Sequence, residues 1–289
     1  MHPNLLEPLR VRWIVGALLM VVFLGACDRD LHAQRALAAG DTARARSSWN
    51  KVLTKDQHHE GALYGLAWIA LMDGQRHTTR TMSTTCLEHH PNAARCWRVL
   101  GLLEAVEGNL ADARTAYEQA LAHGEDDPKN WVAFGAFEAD RGDLERAQEL
   151  VERAIALAPN VGDYRLPLAD IAMRRQDPQA ALDLLNEAQS RGFRDMQMEL
   201  QSWMTRAWVH VVLAEQAATP KPPMGPDIGA VREHLEQMES SLVQAERFLG
   251  DSPSPQHRTQ IANVRSAGST LQARIGRLWE LPGLQPPPN

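Results

Sequence analysis

Small and apolar residues recur along this chain at a constant step of 34 residues. The segment WRVLG at 97–101 returns as WVAFG at 131–135. The same step relates a set of glycines and a set of alanines, namely Gly40, Gly74, Gly108 and Gly142, and Ala113, Ala147 and Ala181. A repeat of this length predicts similar supersecondary units that must stack to bury their apolar faces. Five units fit without an insertion, beginning near Ala26, Glu60, Ala94, Pro128 and Gly162.

Each unit reads as two short antiparallel helices. Small residues such as Gly101 and Ala113 allow two helices to approach closely, and bulky residues such as Trp97 and Tyr117 fill the space between units. The pair Gly108-Asn109 predicts a left-handed helix stop followed by a side chain that caps the next helix. Gly142-Asp143 and Asp177-Pro178 have the same pattern. The units are therefore expected to be helical hairpins.

These residues resemble the tetratricopeptide repeat family. Its pattern is shown best by the third unit, in Trp97, Leu100, Gly101, Ala113, Tyr117 and Ala120, and the second and fourth units end on Pro91 and Pro159. The first unit lacks the early aromatic residue and glycine, and Arg165 and Pro167 depart from the pattern in the fifth. The resemblance implies an all-α superhelical solenoid of about five repeats over residues 27–195.

The rest of the chain predicts three more helices. Apolar residues at helical spacing indicate a helix at 196–218, which we expect to cap the solenoid. A Pro-rich linker follows at 219–227, then two amphipathic stripes that predict a helical hairpin at 228–281, and a Pro-rich tail at 282–289. Spacing leaves open whether this hairpin packs on the solenoid or pairs with another protein.

The N-terminus has the organisation of a signal peptide. Arg10 and Arg12 precede 14 apolar residues at 13–26, which are too few to span a bilayer as a helix. The run LGAC at 24–27 resembles the lipobox of bacterial lipoprotein precursors, which implies cleavage before Cys27 and its modification with acyl chains such as palmitate. An ordinary secretory signal or an uncleaved signal anchor is the alternative. The resemblance places the mature chain on the periplasmic side of the bacterial envelope, and Asp28 favours the inner membrane.

The net charge and the cysteine content limit which partners and ligands we expect the chain to bind. Without residues 1–26 the chain keeps 28 basic and 35 acidic residues, a formal charge of −7, so we expect no nucleic-acid partner. Cys86 and Cys96 then form an even pair in an oxidising compartment, which predicts either a disulfide or two buried thiols. A zinc site with His89 and His90 lacks the usual two-residue spacing between cysteines, so we expect no metal and no cofactor.

The resemblance also implies a partner-binding groove, lined by the first helix of each unit. Carried over position by position, the groove consists of Tyr64, Trp68, Leu71, Met72, Arg95, Arg98, Leu102, Val106, Val132, Ala136, Asp140, Asp170 and Arg174. Its first half is apolar with Arg95 and Arg98 beside it, which predicts an amphipathic helix or extended apolar peptide, one that could end in an acidic group. The alternative is that the chain's own C-terminal helix covers Trp68 and Leu102.

No catalytic motif stands out from the sequence. Nucleophile elbows, phosphate loops, dinucleotide glycine patterns and metalloprotease helices are all missing, so we expect a binding protein rather than an enzyme. Small lipoproteins with such repeats resemble pilus-assembly and other envelope-assembly factors. The expected function is a membrane-anchored interaction scaffold for an envelope, pilus or secretion assembly. A self-associating structural component of an envelope complex is the alternative.

Overall fold

A computed structural model describes residues 30–194, 196–219, 226–250 and 253–279, and all regular secondary structure in these ranges is helical. Residues 30–38 form α1, and the helices that follow are α2 (Thr42–Leu53), α3 (Glu60–Met72), α4 (Arg76–His89), α5 (Ala94–Glu107), α6 (Leu110–His123), α7 (Pro128–Asp140), α8 (Leu144–Leu157), α9 (Leu166–Arg174), α10 (Pro178–Arg191), α11 (Met196–Ala218), α12 (Ile228–Leu249) and α13 (Pro255–Trp279). A short 3₁₀ helix at Gly162–Arg165 precedes α9. The predicted all-α class is confirmed.

The repeat register read from the sequence coincides with the starts of the helices. Glu60, Ala94 and Pro128 are the first residues of α3, α5 and α7, and Gly162 begins the 3₁₀ helix before α9. The chain divides into two compact units, residues 1–134 and 135–289, so the boundary falls inside α7. Each unit has its own buried core.

In the first unit, large rings are packed directly on backbone that has no side chain. The Trp49 ring is 1% exposed, and a Cβ atom added at Gly65 would lie 2.4 Å from it. A Cβ atom added at Gly101 would lie 3.1 Å from the ring of Tyr117. Because interiors are close-packed, these contacts fix how closely α3 approaches α2 and how closely α5 approaches α6.

The turns that end the first helix of each hairpin use positive φ angles. Gly40, Gly74, Gly108 and Gly142 all have φ between 71° and 88°, a region that favours glycine. The 34-residue step places Gln176 at the next such turn, and it too has a positive φ, of 62°. A side chain is thereby held where L-residues are strained.

Side-chain caps begin several of the second helices. The Asp41, Asp143 and Asp177 carboxylates accept hydrogen bonds from backbone N–H groups of α2, α8 and α10, as the sequence predicted for the last two. The expected cap at Asn109 is wrong. Its side-chain nitrogen donates instead to Glu104 Oε2 at 2.8 Å, and the side chain makes no hydrogen bond to the start of α6.

In the second unit, the C-terminal helices pack on one another. Helix α11 contacts α9 and α10 through a cluster that includes Leu185, Val209 and Leu213. Its other side packs on α12 and α13 around Val211 and Leu242. The α12–α13 hairpin therefore packs within the chain, on the helix at 196–218, which answers the question that spacing left open. Within the predicted linker, residues 220–225 lie outside the described residues, as does the predicted tail at 282–289.

Among the described helices, none combines the length with the apolar character that crossing a bilayer requires. The predicted signal peptide at 1–26 and Cys27 lie outside the described residues.

Candidate partner-binding surface

Four apolar side chains at two repeat positions line the first helices of the first unit. Trp68 and Met72 are one turn apart on α3, and the 34-residue step places Leu102 and Val106 at the same positions of α5. Helices α3 and α5 contact each other. Met72 and Val106 are 55% and 60% exposed, whereas Trp68 and Leu102 are half-buried. These four residues form what we call the apolar ridge, and Leu71 is half-buried near its end.

Met72 and Val106 are more exposed than the other large apolar side chains described in the first unit. Side chains of this size are usually buried, and neighbouring exposed ones mark binding surfaces more often than a single exposed residue does. The ridge belongs to the first half of the predicted groove, and its role as a binding surface stays a prediction.

Arg95 lies at the edge of this surface and keeps part of its charge accessible. Its guanidinium carbon is 5.0 Å from the centroid of the Tyr64 ring, a cation–π arrangement. Its Nη2 atom is 3.2 Å from Glu60 Oε1, and both side chains are more than a third exposed. Solvent screens such a pair, so the Arg95 side chain remains free to rearrange.

Arg98 was expected to offer a second accessible cation, and this expectation is wrong. The residue is 4% exposed, and its Nη1 atom lies 2.9 Å from Asp127 Oδ2 and 2.6 Å from Asn130 Oδ1. Its Nη2 atom donates to the Tyr64 hydroxyl at 3.4 Å. A buried guanidinium needs such acceptors, and because Arg98 is buried against them it is not accessible to a partner.

The partners of Arg98 also join the end of α6 to the start of α7. Asn130 is buried, and its side-chain nitrogen donates to the Ala120 carbonyl at 3.1 Å and to the Gly124 carbonyl at 2.8 Å. Arg98 therefore stabilises the fold of the first unit. Val132, which follows Arg98 by 34 residues, is half-buried on α7.

In the second unit, three of the four predicted groove residues are charged and pair with one another. Arg174 Nη2 lies 2.8 Å from Asp140 Oδ1, and its Nε lies 2.7 Å from Asp170 Oδ2. The hydrogen bond to Asp140 is the main reason that the pKa of Arg174 is raised above its ordinary value. Ala136, one turn before Asp140, is exposed. With one positive and two negative side chains, this cluster presents a charged surface rather than an apolar one.

A buried carboxylate in the first unit was not found from the sequence. Glu104 is 5% exposed and pairs with Arg80, 24 residues earlier, which also bonds Glu107 at 2.5 Å. The hydrogen bond from Arg80 holds the pKa of Glu104 below its usual range. The one sequence signal for this burial is the position of Glu104 on the buried face of an amphipathic helix.

A histidine pair in the second unit, in which His210 is buried and His234 is half-buried, was also missed. His210 on α11 lies with its Nδ1 atom 3.4 Å from Nδ1 of His234 on α12. Desolvation, with smaller contributions from His234 and Arg206, lowers the pKa of His210 to about 4. Neither histidine belongs to a recognisable motif, so the pairing depends on how the two helices pack.

Cys86 and Cys96 are joined by a disulfide that connects α4 to α5. Both are fully buried, beside Leu63 and Ala93. Since the two sulfurs are bonded to each other, neither is available as a thiolate for the zinc site considered from the sequence. Nearby, the His58 and His89 rings stack with centroids 3.5 Å apart. Within the described ranges, no group of three or more His, Cys, Asp or Glu is arranged to hold a metal.

Three segments of the chain match the tetratricopeptide repeat family, at residues 31–78, 84–130 and 138–195. No curated protein matches the sequence.

Several solved structures share the fold at low sequence identity. The tetratricopeptide protein TTC0263 from Thermus thermophilus is 18% identical with a TM-score of 0.56, and the match covers 62% of this chain and 98% of that one. PilF from Pseudomonas aeruginosa is 15% identical with a TM-score of 0.55, covering 86% and 97%. PilW, described as a widely conserved type IV pilus biogenesis factor, is 17% identical with a TM-score of 0.59, covering 77% and 96%.

Proposed function

Because the chain belongs to the tetratricopeptide repeat family, we propose that it is an interaction scaffold that binds an apolar peptide or helix of a bacterial envelope assembly. In this proposal a lipid on Cys27 tethers the scaffold to a membrane on its periplasmic side. The predicted fold class, an all-α chain of tetratricopeptide repeats, is confirmed. The observation that carries the binding role is the apolar ridge, with Met72 and Val106 more than half exposed.

The charges beside the apolar ridge indicate what kind of segment it takes. Arg98 is buried and neutralised by Asp127, so affinity for a partner would come from apolar contact rather than from a strong cation. Met72 and Val106 offer two exposed apolar contacts one repeat apart. Such contacts suit the apolar face of an amphipathic helix, on which apolar residues recur every three or four positions. Arg95 at the edge would help to orient the partner. It would add little affinity, because exposed ion pairs are weak.

Two considerations support an envelope assembly as the setting. PilW is described as a type IV pilus biogenesis factor, and both PilW and PilF share this fold over most of their length. A lipid tether would also keep the scaffold at the membrane where pilus and secretion subunits assemble, which raises the effective concentration of the partner without new contacts.

The binding role can be tested by photo-crosslinking in cells. We expect a crosslinking amino acid at Met72 to capture one partner, and the double variant Met72→Ser/Val106→Ser to reduce binding of the purified partner at least about tenfold, because about 1.4 kcal/mol of apolar contact is a factor of ten. Leu157→Ser is the matched control, since Leu157 is a 40% exposed apolar residue that belongs to the second unit. Unchanged partner binding by the double variant would contradict the proposal.

The tether and the self-association alternative have their own measurements. Mass spectrometry of the mature protein should find a diacylated Cys27 at the N-terminus, and a chain retaining residues 1–26 would contradict the tether.

Light scattering of the non-acylated protein should give a monomer. A dimer abolished by Met72→Ser/Val106→Ser would mean that the ridge is occupied by a second copy, as the self-association alternative predicts.

A further inference from the structure

The first described residue is bonded into the core of the first unit. Asp30 Oδ1 accepts a hydrogen bond from the Trp49 indole N–H at 2.8 Å, and Asp30 Oδ2 is 2.8 Å from the Gln34 side-chain nitrogen. A Cβ atom added at Gly61, at the start of α3, would lie 2.9 Å from Asp30 Oδ2. Asp30 is therefore held at the N-terminal end of α3.

That end of the first unit forms a continuous surface, which we call the tether face. It comprises the start of α1 and the turns at 54–59 and 90–93. The turns are joined, since His90 Nε2 lies 2.5 Å from the His58 carbonyl oxygen and the His58 and His89 rings stack at 3.5 Å. The turns at 39–41, 73–75 and 108–109 lie at the opposite end of the same helices.

We propose that the tether face lies against the membrane surface and that the exposed end of the apolar ridge points away from it. This inference rests on the proposed acylation of Cys27. Only two residues separate Cys27 from Asp30, so the two Cα atoms are at most about 11 Å apart even in a fully extended chain. The headgroup layer on each side of a bilayer is itself roughly 5–8 Å thick. A lipid at Cys27 would thus hold the start of α1, and with it this end of the first unit, close to the headgroups.

The chemistry of the tether face fits a lipid surface. Leu31 is 43% exposed at the start of α1, four residues after Cys27, where its side chain can enter the interfacial layer. His58 and His89 are also exposed on this face. Imidazole has an apolar ring and polar nitrogens, a combination suited to the boundary between headgroups and acyl chains.

The opposite end carries the most exposed apolar side chains of the first unit, Met72 and Val106. Helix α3 rises about 18 Å between Glu60 and Met72. A partner would therefore reach the apolar ridge from the periplasmic side rather than along the bilayer surface.

Fluorescence quenching in vesicles tests this orientation. The full-length acylated protein is reconstituted into phosphatidylethanolamine and phosphatidylglycerol vesicles that contain a lipid with a nitroxide headgroup. A fluorophore is attached at Gln57→Cys on the tether face or at Arg76→Cys at the opposite end, both of which are exposed positions flanking α3. Because the sites differ by about 18 Å along the helix, we expect quenching at Gln57 to be at least about twofold greater.

A second pair of labels makes the result independent of one variant. Asn92→Cys and Ala111→Cys flank α5 in the same way, and the first of them should be quenched more. Non-reducing peptide mapping checks that Cys86 and Cys96 stay paired in each variant. Equal or reversed quenching in acylated, vesicle-bound protein would overturn the orientation alone. A chain without an acyl group that stays in solution would overturn both the orientation and the tether, and the partner-binding test of Met72 and Val106 would still stand.

Discussion

Arg98 Nη1 lies 2.9 Å from Asp127 Oδ2, although the two residues are 29 positions apart in the sequence. The guanidinium comes from the first half of the first helix of one repeat and the carboxylate from the turn that precedes the next repeat. A residue expected to contact a partner thus holds consecutive repeats of the first unit together.

Replacing Arg98 should therefore cost stability. We expect Arg98→Met to lower the free energy of unfolding by about 1–3 kcal/mol, because Asn130 and Tyr64 lose a buried donor while Asp127 can still reach water. Arg95→Met removes an exposed arginine from the same helix and should change it by no more than about 1 kcal/mol. Urea unfolding followed by circular dichroism measures both, and equal losses would show that the buried network adds nothing.

Gln176 offers a simple stabilising substitution. Its φ of 62° is a left-handed conformation that costs an L-residue about 1–2 kcal/mol and costs glycine little. After allowing for the extra flexibility of glycine in the unfolded chain, we expect Gln176→Gly to raise the free energy of unfolding by about 0.5–1 kcal/mol. Gln179→Gly, at an exposed position inside α10, should instead destabilise by a similar amount. Thermal unfolding of the two variants should shift in opposite directions.

The disulfide should stabilise the first unit. It closes a loop of 10 residues, and the chain-entropy model gives about 2–3 kcal/mol for a loop of this size. We expect Cys86→Ala/Cys96→Ala to lose about this much, plus a smaller contribution from the lost volume in the buried cluster. Urea unfolding of the double variant, and of the wild type with and without reductant, measures this loss. A reductant effect that persisted in the double variant would have to come from elsewhere in the chain.

The His210–His234 pair predicts weakening of the second unit in acid. The pKa of His210 is about 4 in the fold and about 6.5 in an unfolded chain. The unfolded state therefore takes up the proton first, so stability falls as the pH drops from about 6.5 to about 4, by about 2–3 kcal/mol in total.

Hydrogen exchange of peptides from α11 and α12 measures this locally. Protection should decrease between pH 6.5 and 4 in the wild type, after correction for the intrinsic pH dependence of exchange. His210→Gln should show a smaller decrease than the wild type, while His123→Gln, at an exposed position, should behave like the wild type. The same decrease in all three proteins would assign the effect to protonated carboxylates rather than to His210.

The fold was more predictable than the candidate site. The starts of α3, α5 and α7 follow from a 34-residue pattern of small and apolar residues, because close helix contacts demand glycine or alanine at defined positions. The surroundings of Arg98 could not be predicted in this way. Whether an arginine at a groove position faces a partner or the core depends on acceptors that the fold brings together, here Asp127 and Asn130.

The apolar ridge was only partly predictable from the sequence. Its positions follow from the repeat register, but the 55% and 60% exposure of Met72 and Val106 depends on what the rest of the chain leaves uncovered. The expectation that the chain's own C-terminal helix covers Trp68 and Leu102 stays a prediction, and crosslinking from Met72 decides it.

The bond between Cys86 and Cys96 has a consequence for how the protein is made. Disulfides form in oxidising compartments and are rare where thiols are kept reduced. Under the proposed export the first unit would thus be less stable during synthesis, since it would lack this disulfide. If the chain is exported as we propose, the first unit would gain this covalent link only after delivery to an oxidising compartment.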